Sequence, residues 1–400
     1  MERGSSPAQV DLLEQLAETP LADRIELAAL SGCSTATVYR GIERLSARGL
    51  VEGLAHAAEL LPATRRFQLS AAGVRHLAEE RGTSPATLLA ECPVSEEWRR
   101  SLLRRLDGVA AIYRLASALA EVRYPIRLRW YRSAAPDASV ALPDGRTLAL
   151  LRLGRGLERT AAAFRVRRLG EGPQYSAALI LAPDETRLLQ LRRLARGLPF
   201  GGFLALERYL LIASADDAVW VPRAGGPALS LGEVLGFVHA GGEWARERTP
   251  QRRTPPRPMT EGAERDRMLP SLLGPAQKRT IDLIADWPWL APQELAKLLG
   301  VGRRRVSQLT GSLADLELIA APRVERRSRL VLTDRALRLL AQRDRARPAE
   351  ARRRWSAGPI TEGEETGWRG VAGRRSRQLV RHIGHTEAVH QFAAELSSDA

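Results

Sequence analysis

Apolar positions recur at helical spacing in two stretches of the chain that resemble each other. Residues 26–51 and residues 294–319 align without a gap, 268 positions apart. Each stretch predicts two amphipathic helices joined by a glycine turn, which is the arrangement of a helix-turn-helix. The identical pairs are Glu26/Glu294, Leu27/Leu295, Ala28/Ala296, Leu30/Leu298, Gly32/Gly300, Val38/Val306, Leu45/Leu313 and Leu50/Leu318.

Each copy lies between a further helix and an alternating stretch that predicts a strand. Alternation at residues 64–69 indicates a hairpin in the first copy, and residues 329–342 repeat the segment that begins at residue 66. The offset has fallen to 263 there, so we expect the second hairpin to be five residues shorter. Three helices and a hairpin predict a winged helix in each copy. On the preceding helix, the core pairs are Leu13/Ile281 and Leu16/Ile284.

The middle of the chain has a different pattern. A helix with an apolar stripe is predicted at residues 96–122, and buried or alternating strands follow, with helices at residues 158–168 and 185–196. This order indicates a mixed α/β domain. The strands are expected at residues 126–131, 139–143, 147–153, 175–182 and 209–222.

The expected fold class is α+β multi-domain, with two winged helix-turn-helix domains flanking an α/β domain. Residues 241–269 combine Pro, Arg and polar residues without apolar periodicity, which predicts a flexible linker. A closing helix is expected at residues 377–396. The domain boundaries are winged-helix domain 1 at 1–92, a linking helix at 93–122, the α/β domain at 123–240, the linker at 241–269, winged-helix domain 2 at 270–345, and a polar stretch with a second linking helix at 346–400.

Charge narrows the class of partner. The 400 residues carry a formal net charge of +15, and such an excess favours nucleic acid or an anionic membrane. We expect double-stranded DNA, because no apolar run approaches the length of a membrane span. The two cysteines, Cys33 and Cys92, are too few for a disulfide framework, and no signal peptide is evident, so a cytoplasmic location is expected. No motif for a small-molecule substrate or cofactor is evident.

The second helix of each motif is the expected DNA-reading element. In the first copy, Ser34 is expected to cap this helix. Val38, Ile42 and Leu45 should face the core. The residues expected on its exposed side are Thr35, Thr37, Arg40 and Arg44, for which a merely solvated face is the alternative. We expect Tyr39 to pack on the first helix.

The second copy is more basic. Arg303, Arg304 and Arg305 open its second helix, and Gln308 follows one turn later, at a position suited to adenine. We expect most of the arginines to contact phosphates. The hairpins add Arg326, Arg327 and Arg329 in the second copy and Arg65 and Arg66 in the first, which suit contact with the DNA backbone.

The central domain poses the alternative of an enzyme. Asp137 follows Pro136 before a predicted strand, as in metal-dependent nucleases of the PD-(D/E)xK type, which need further acids to hold Mg²⁺. Arg152 and Gly154 stand where those acids are wanted. Glu158 could be a displaced ligand, but an ordinary surface glutamate is favoured. A single carboxylate holds magnesium poorly. A metal site formed by His382, His385 and His390 is less favoured than a polar helix surface.

These motifs resemble the plasmid replication-relaxation family, whose members join a winged helix, a linking helix and a degenerate nuclease-like α/β domain. Residues 67–77 and 330–340 resemble the family's winged-helix signature. The linking-helix pattern is matched by His385, Thr386, Val389 and Phe392, and the first copy keeps it only around Val109 and Ile112. Residues 136–156 resemble its nuclease-like strands, with Arg155 and Gly156 retained and both acids replaced.

The resemblance implies DNA binding in replication or maintenance of plasmids and mobile elements, or in transcriptional control, without catalysis. A magnesium-dependent nuclease using Asp137 and Glu158 is the alternative, and a scaffold that binds protein is a third possibility. The second copy stops after its linking helix, which predicts a truncated, split or degenerate second unit. Its apolar face on Val389 and Phe392 is then a candidate for self-association.

Overall fold

A computed structural model describes residues 6–245, 254–257, 265–355 and 374–398, excluding the side chains of residues 265, 374–377 and 398. The fold is mixed α and β with one large mixed sheet. The chain forms two compact units: unit 1 contains residues 1–155 and 159–272, and unit 2 contains residues 156–158 and 273–400. In the described part of the chain, no helix is both long and apolar enough to cross a membrane.

Unit 1 begins with a three-helix module and a hairpin, called module 1 here. Its elements are α1 (Pro7–Glu18), β1 (Ala22–Asp23), α2 (Arg24–Ser31), α3 (Thr35–Ala47), β2 (Val51–Ala58), β3 (Leu61–Leu69) and α4 (Ala71–Glu80). Asp23 caps α2 by accepting from the backbone N–H groups of Ile25 and Glu26. Gly32 ends the helix with a φ of 66°, a left-handed conformation that favours glycine. β3 pairs antiparallel with both β1 and β2.

Two helices, where one was predicted, connect module 1 to the sheet. After α5 (Pro85–Glu91), α6 (Glu96–Leu103) ends before Arg104, and α7 (Leu106–Val122) follows. α7 is buried along nearly its whole length, because it packs on α2 on one side and on the central sheet on the other. The expected apolar stripe is confirmed, with Leu102, Leu106, Val109, Ile112 and Leu115 at most 1% exposed.

The six-stranded sheet has the order β4-β5-β6-β7-β8-β9. Its three central strands, β6, β7 and β8, run in parallel, and the flanking pairings are antiparallel. The strands and associated helices are β4 (Arg127–Trp130), β5 (Ala138–Ala141), β6 (Thr147–Arg152), α8 (Arg159–Gly170), β7 (Ala177–Ala182), α9 (Glu185–Ala195), β8 (Gly201–Leu206), α10 (Glu207–Ile212), β9 (Val221–Pro222) and α11 (Leu231–Gly236). Residues 209–212 are helical, so the long strand predicted at 209–222 is wrong. Gly201 and Gly202 open β8.

Both faces of this sheet are covered. Alternate residues such as Leu148, Leu150 and Leu179 join the core that includes α7. Leu151 and Ile180, which point to the other face, are equally buried. Right-handed crossovers place α8 and α9 together on that second face, and the two helices pack against each other.

The predicted flexible linker is wrong for the part of it that the structure describes. The backbone N–H of Glu96 donates to the carbonyl of Thr254 at 3.0 Å, and Arg99 Nη1 donates to the carbonyl of Arg257 at 3.0 Å. α12 (Arg265–Leu272) packs on β2 and α6. Residues 246–253 and 258–264 of the predicted linker lie outside the described residues. The described segments thus belong to unit 1, whose boundary falls after residue 272.

Unit 2 repeats the helical order in its own module, called module 2. Its elements are α13 (Pro275–Asp286), α14 (Pro292–Leu299), α15 (Arg303–Asp315), β10 (Ile319–Ala320), β11 (Arg323–Val324), β12 (Arg327–Ser328), β13 (Val331–Leu332), α16 (Asp334–Arg343), α17 (Pro348–Trp355), α18 (Arg374–Arg381) and α19 (Ile383–Ser398). β10 pairs with β13 and β11 with β12, all antiparallel. The expected core positions Ile281 and Ile284 are buried, which confirms the match with Leu13 and Leu16.

The last helix differs in its surroundings from its counterpart α7. α19 packs on α14, as α7 packs on α2. On α19, however, Val389, Phe392 and Leu396 are 41%, 64% and 58% exposed. The matching positions of α7 include Val109 and Ile112, which are buried. Much of the predicted polar stretch, residues 356–373, lies outside the described residues.

Candidate nucleic-acid interface

The exposed side of α3 carries most of the residues expected there. Ser34 caps the helix, as predicted, by accepting from the backbone N–H of Thr37 at 3.2 Å. Its hydroxyl also contacts that of Thr37 at 2.8 Å, so both hydroxyls are engaged within the cap. Thr35, Arg40 and Arg44 are exposed. The predicted core residues Val38, Ile42 and Leu45 are fully buried.

Tyr39, which we expected to pack on the first helix, lies against Arg24 of α2 and stays partly exposed to solvent. It is 40% exposed, and the guanidinium carbon of Arg24 lies 4.3 Å from its ring centroid. This cation–π contact leaves the tyrosine on the same surface as Arg40, so an aromatic ring joins the exposed face of module 1.

The N-terminal turn of α15 is the most basic part of the predicted interface. Arg303, Arg304 and Arg305 are exposed, as is Gln308, whose Oε1 accepts from Arg305 Nη1 at 3.4 Å. The residue before the helix is Gly302, and no described side chain caps α15. Cations are disfavoured at a helix N-terminus because the helix dipole is positive there. This turn therefore combines three like charges and uncapped N–H groups, which is a favourable place for an anion.

The hairpin arginines divide into exposed and buried residues. Arg65 and Arg326 are exposed. Arg327 is largely exposed but pairs with Glu387 of α19. Arg66 and Arg329 are each 1% exposed, so the prediction that these two contact DNA is wrong. Both guanidinium groups are held inside their modules by buried acids.

Arg66 is the centre of a saturated buried network in module 1. Its Nη1 and Nη2 donate to the two carboxylate oxygens of Glu26 at 2.7 and 3.1 Å, and Nη1 also donates to the carbonyl of Leu21 at 2.9 Å. Its Nε contacts His56 Nδ1 at 3.0 Å, and His56 Nε2 lies 2.9 Å from Asp107 Oδ1. The network thus joins α2, the hairpin and α7. Burial raises the pKa of the Glu26 carboxyl to about 7, against the opposing effect of Arg66.

The equivalent network in module 2 is looser. Arg329 Nη2 lies 2.9 Å from Glu387 Oε2, whereas its Nη1 is 4.0 Å from Glu294 Oε1. Within the described structure, Arg329 Nε and Nη1 and Glu294 Oε1 have no hydrogen-bond partner. His390 Nδ1 is 3.8 Å from Glu294 Oε2, and the His390 ring meets that of Trp287 edge to face.

This arrangement shifts the pKa of two groups, His390 and Glu294. Burial lowers the pKa of His390 from 6.5 to about 4, with Arg329 acting in the same direction and Glu387 opposing it. Burial also raises the pKa of Glu294, although a backbone hydrogen bond from Ala291 and the charge of Arg329 counteract it. At neutral pH, His390 is therefore a neutral ring beside a buried acid.

The carboxylates of the nuclease alternative are engaged by guanidinium groups. Asp137 is buried, and its Oδ1 accepts from Arg105 Nη1 at 3.2 Å. Its Oδ2 accepts from Arg165 Nη2 at 2.9 Å and from the backbone N–H of Arg152 at 2.8 Å. These bonds use the lone pairs that a magnesium ion would require.

Glu158 is also paired, because its Oε1 lies 2.8 Å from Nε of Arg353. Among the residues that the structure describes, no group of three His, Cys, Asp or Glu side chains is placed to hold a metal. That statement includes His382, His385 and His390. The geometry thus offers a surface for anions more readily than a cage for a cation.

Sequence reasoning missed the buried acids and their partners His56 and Asp107. A signal was present, because Glu26 and Glu294 are charged residues kept at one position of an otherwise apolar repeat. Arg66 and Arg329 are likewise equivalent across the two copies. A retained pair of opposite charges within a repeated core pattern indicates a buried ion pair.

No protein-family model, curated protein or solved structure matches the chain.

Proposed function

We propose that the protein binds double-stranded DNA through two winged helix-turn-helix modules, with α3 and α15 as the reading helices. The observation that carries this proposal is the N-terminal turn of α15, where Arg303, Arg304 and Arg305 surround uncapped backbone N–H groups. Phosphate is the anion that such a turn suits. Gln308, one turn later, has the donor and acceptor groups to read adenine in the major groove.

The two modules contribute unequally in this proposal. α3 has its own serine cap and presents only Arg40 and Arg44 as cations, so it engages DNA more weakly than α15. Arg65 and Arg326 extend the contact from the hairpins to the DNA backbone. Two reading helices in one chain give two footprints without requiring dimerisation.

The central domain acts as a scaffold of the PD-(D/E)xK-like type, without catalysis. The pairing of Asp137 with Arg105 and Arg165 supports this role, because a nuclease needs that carboxylate available for metal. The resemblance to replication-relaxation proteins suggests a role in replication or maintenance of plasmids and mobile elements, or in transcriptional control.

The test compares binding to genomic duplex fragments at physiological salt. Replacement of Arg303, Arg304 and Arg305 by alanine should weaken binding on the order of 100-fold and lower the salt slope by about 0.9 for each phosphate that is no longer neutralised. The Arg40→Ala, Arg44→Ala variant should bind on the order of 10-fold more weakly than the wild type.

A matched control removes the same charge elsewhere. Arg352, Arg353 and Arg354 form another exposed arginine triplet, on α17, in which Arg352 pairs with Asp334 and Arg353 with Glu158. Their replacement by alanine removes the same formal charge and should leave site enrichment intact. Equal weakening of DNA binding in both triple variants would show that binding depends only on the net charge of the chain. Supercoiled plasmid incubated with Mg²⁺ should stay uncut, and nicking that disappears in Asp137→Asn would establish the nuclease instead.

A further inference from the structure

The outer face of α8 and α9 carries positive charge that the duplex interface does not use. α8 contains four arginines and no acid, and α9 adds three arginines with one acid in its first turn. Arg165 turns inward to Asp137, but Arg159, Arg167, Arg193 and Arg196 are exposed. Because the two helices lie side by side on one face of the sheet, these cations border a common surface.

Phe164 stands on this surface as an exposed aromatic ring. It is 51% exposed, and the guanidinium carbons of Arg167 and Arg168 lie 5.5 and 5.8 Å from its ring centroid. Leu189 of α9 is equally exposed. The two helices thus present an exposed aromatic ring that is bordered by guanidinium groups.

An aromatic ring bordered by guanidinium groups fits the chemistry of an unpaired nucleotide. The ring stacks on the face of a base, and the guanidinium groups neutralise the phosphates. In a duplex the base faces are covered by their neighbours, so only an unpaired strand can use the ring. An anionic membrane is a poorer fit, because two exposed apolar side chains bury little area in a bilayer.

We propose that the α8–α9 face binds single-stranded nucleic acid, with Phe164 stacking on a base and Arg167, Arg193 and Arg196 contacting phosphates. Arg167 Nε lies 3.3 Å from Oε1 of Glu171, and this surface ion pair must break before Arg167 can bind a phosphate. That exchange costs little because exposed ion pairs are weak. This site is separate from α3 and α15 and does not depend on the duplex-binding proposal.

The test uses the full chain carrying Arg303→Ala, Arg304→Ala and Arg305→Ala, which disables the proposed duplex contact. A fluorescent oligothymidylate and an oligouridylate serve as probes, and their relative affinities distinguish DNA from RNA. Adding Phe164→Ala should weaken binding about 5- to 100-fold, the range expected when one base no longer stacks. The matched control is Phe237→Ala, which removes an exposed phenylalanine outside α8 and α9 and should leave the affinity unchanged.

A second variant tests the phosphate contacts. Arg167→Ala with Arg193→Ala should reduce the salt slope of single-strand binding by about 0.7 for each phosphate that is no longer neutralised. An unchanged thermal unfolding midpoint confirms that the exposed substitutions leave the fold intact. Equal affinities of the Phe164→Ala and Phe237→Ala proteins would overturn the proposal. Failure to bind either probe would do the same. So would a bound probe that anionic vesicles displace but an unlabelled single strand does not.

Discussion

The two modules place an arginine and a glutamate at equivalent positions but partner them differently. Arg66 makes short contacts with Glu26, a backbone carbonyl and His56, so all three of its nitrogens are used. Arg329 makes one close contact, with Glu387, and two of its nitrogens lack partners in the described structure. The repeated pair of charges is therefore buried in both modules, but the number of hydrogen bonds that the arginine makes differs between them.

The modules also differ in how well the N-terminus of the second helix of the motif suits an anion. The serine cap of α3 satisfies a helix N-terminus internally, whereas α15 begins after Gly302 with three arginines. The well-satisfied module has the less basic surface, and the loosely satisfied module has the more basic one. In the proposed function, module 2 therefore contributes more of the DNA contact than module 1.

The largest expected effect comes from removing Arg66. Arg66→Ala leaves the buried Glu26 without its cation and removes the contact at His56 Nδ1, which should cost about 3–5 kcal/mol. Arg329→Ala should cost less, about 1–3 kcal/mol, because the side chain already has unpaired nitrogens. Hydrogen exchange of residues 51–69 and 319–332 measures the two modules separately.

The control is Arg65→Ala, which removes an exposed neighbour of Arg66 on the same strand and should change stability by less than about 0.5 kcal/mol. Equal destabilisation by Arg66→Ala and Arg329→Ala would break the contrast between the two networks.

The next effect is a dependence of the stability of module 2 on pH, through His390. The pKa of His390 is lowered to about 4 in the folded chain, so the folded chain holds the neutral ring more strongly than the unfolded chain does. The resulting contribution to the free energy of unfolding is present above pH 6.5 and is lost as pH falls from 6.5 towards 4. The raised pKa of Glu294 acts in the opposite direction, so the contribution of His390 is isolated by comparison with His390→Gln.

The stability of the wild type relative to His390→Gln should therefore fall between pH 6.5 and pH 4, measured by hydrogen exchange in module 2. In module 1 the raised pKa of Glu26 has the reverse sign, because its stabilising effect grows as pH falls from about 7 to 4.5. His382→Gln, on the residue between α18 and α19, provides a histidine control. A constant difference between wild type and His390→Gln across this range would show that His390 titrates normally.

Sequence patterns were sufficient to predict those parts of the structure that depend on local periodicity. The repeat located α3 and α15, the apolar spacing identified Val38, Ile42 and Leu45 as core, and the preference of serine for helix ends identified Ser34 as a cap. These inferences succeed because residues three and four apart share a helix face. Contact with DNA by the remaining surface residues is still a prediction.

The remaining features could not be predicted, because they depend on contacts between residues that are far apart in the sequence. The partners of Asp137 come from Arg105 and Arg165, which are 32 and 28 positions away, and no local pattern joins them. Arg66 and Arg329 resemble surface cations in the sequence because their acids lie on another element. Composition alone extends the predicted linker to residue 269, although Leu269 and Leu273 are buried and indicate a packed segment.

The smallest expected change in stability concerns α19 and its counterpart α7. Phe392→Ser should alter stability by less than about 0.5 kcal/mol, because the ring is exposed. Ile112→Ser, at the matching buried position, should cost several-fold more, because it places a hydroxyl in the core. We propose that the exposed apolar face of α19 pairs with the same face of a second copy of the chain, as its hydrophobic character favours.

Sedimentation velocity across a concentration series should then show a dimer that Phe392→Ser weakens, with Gln391→Ser as the control on the same helix. A wild-type chain that stays monomeric throughout would leave that face of α19 without a partner copy, and the difference from α7 would then lie only in what each helix covers within its own unit.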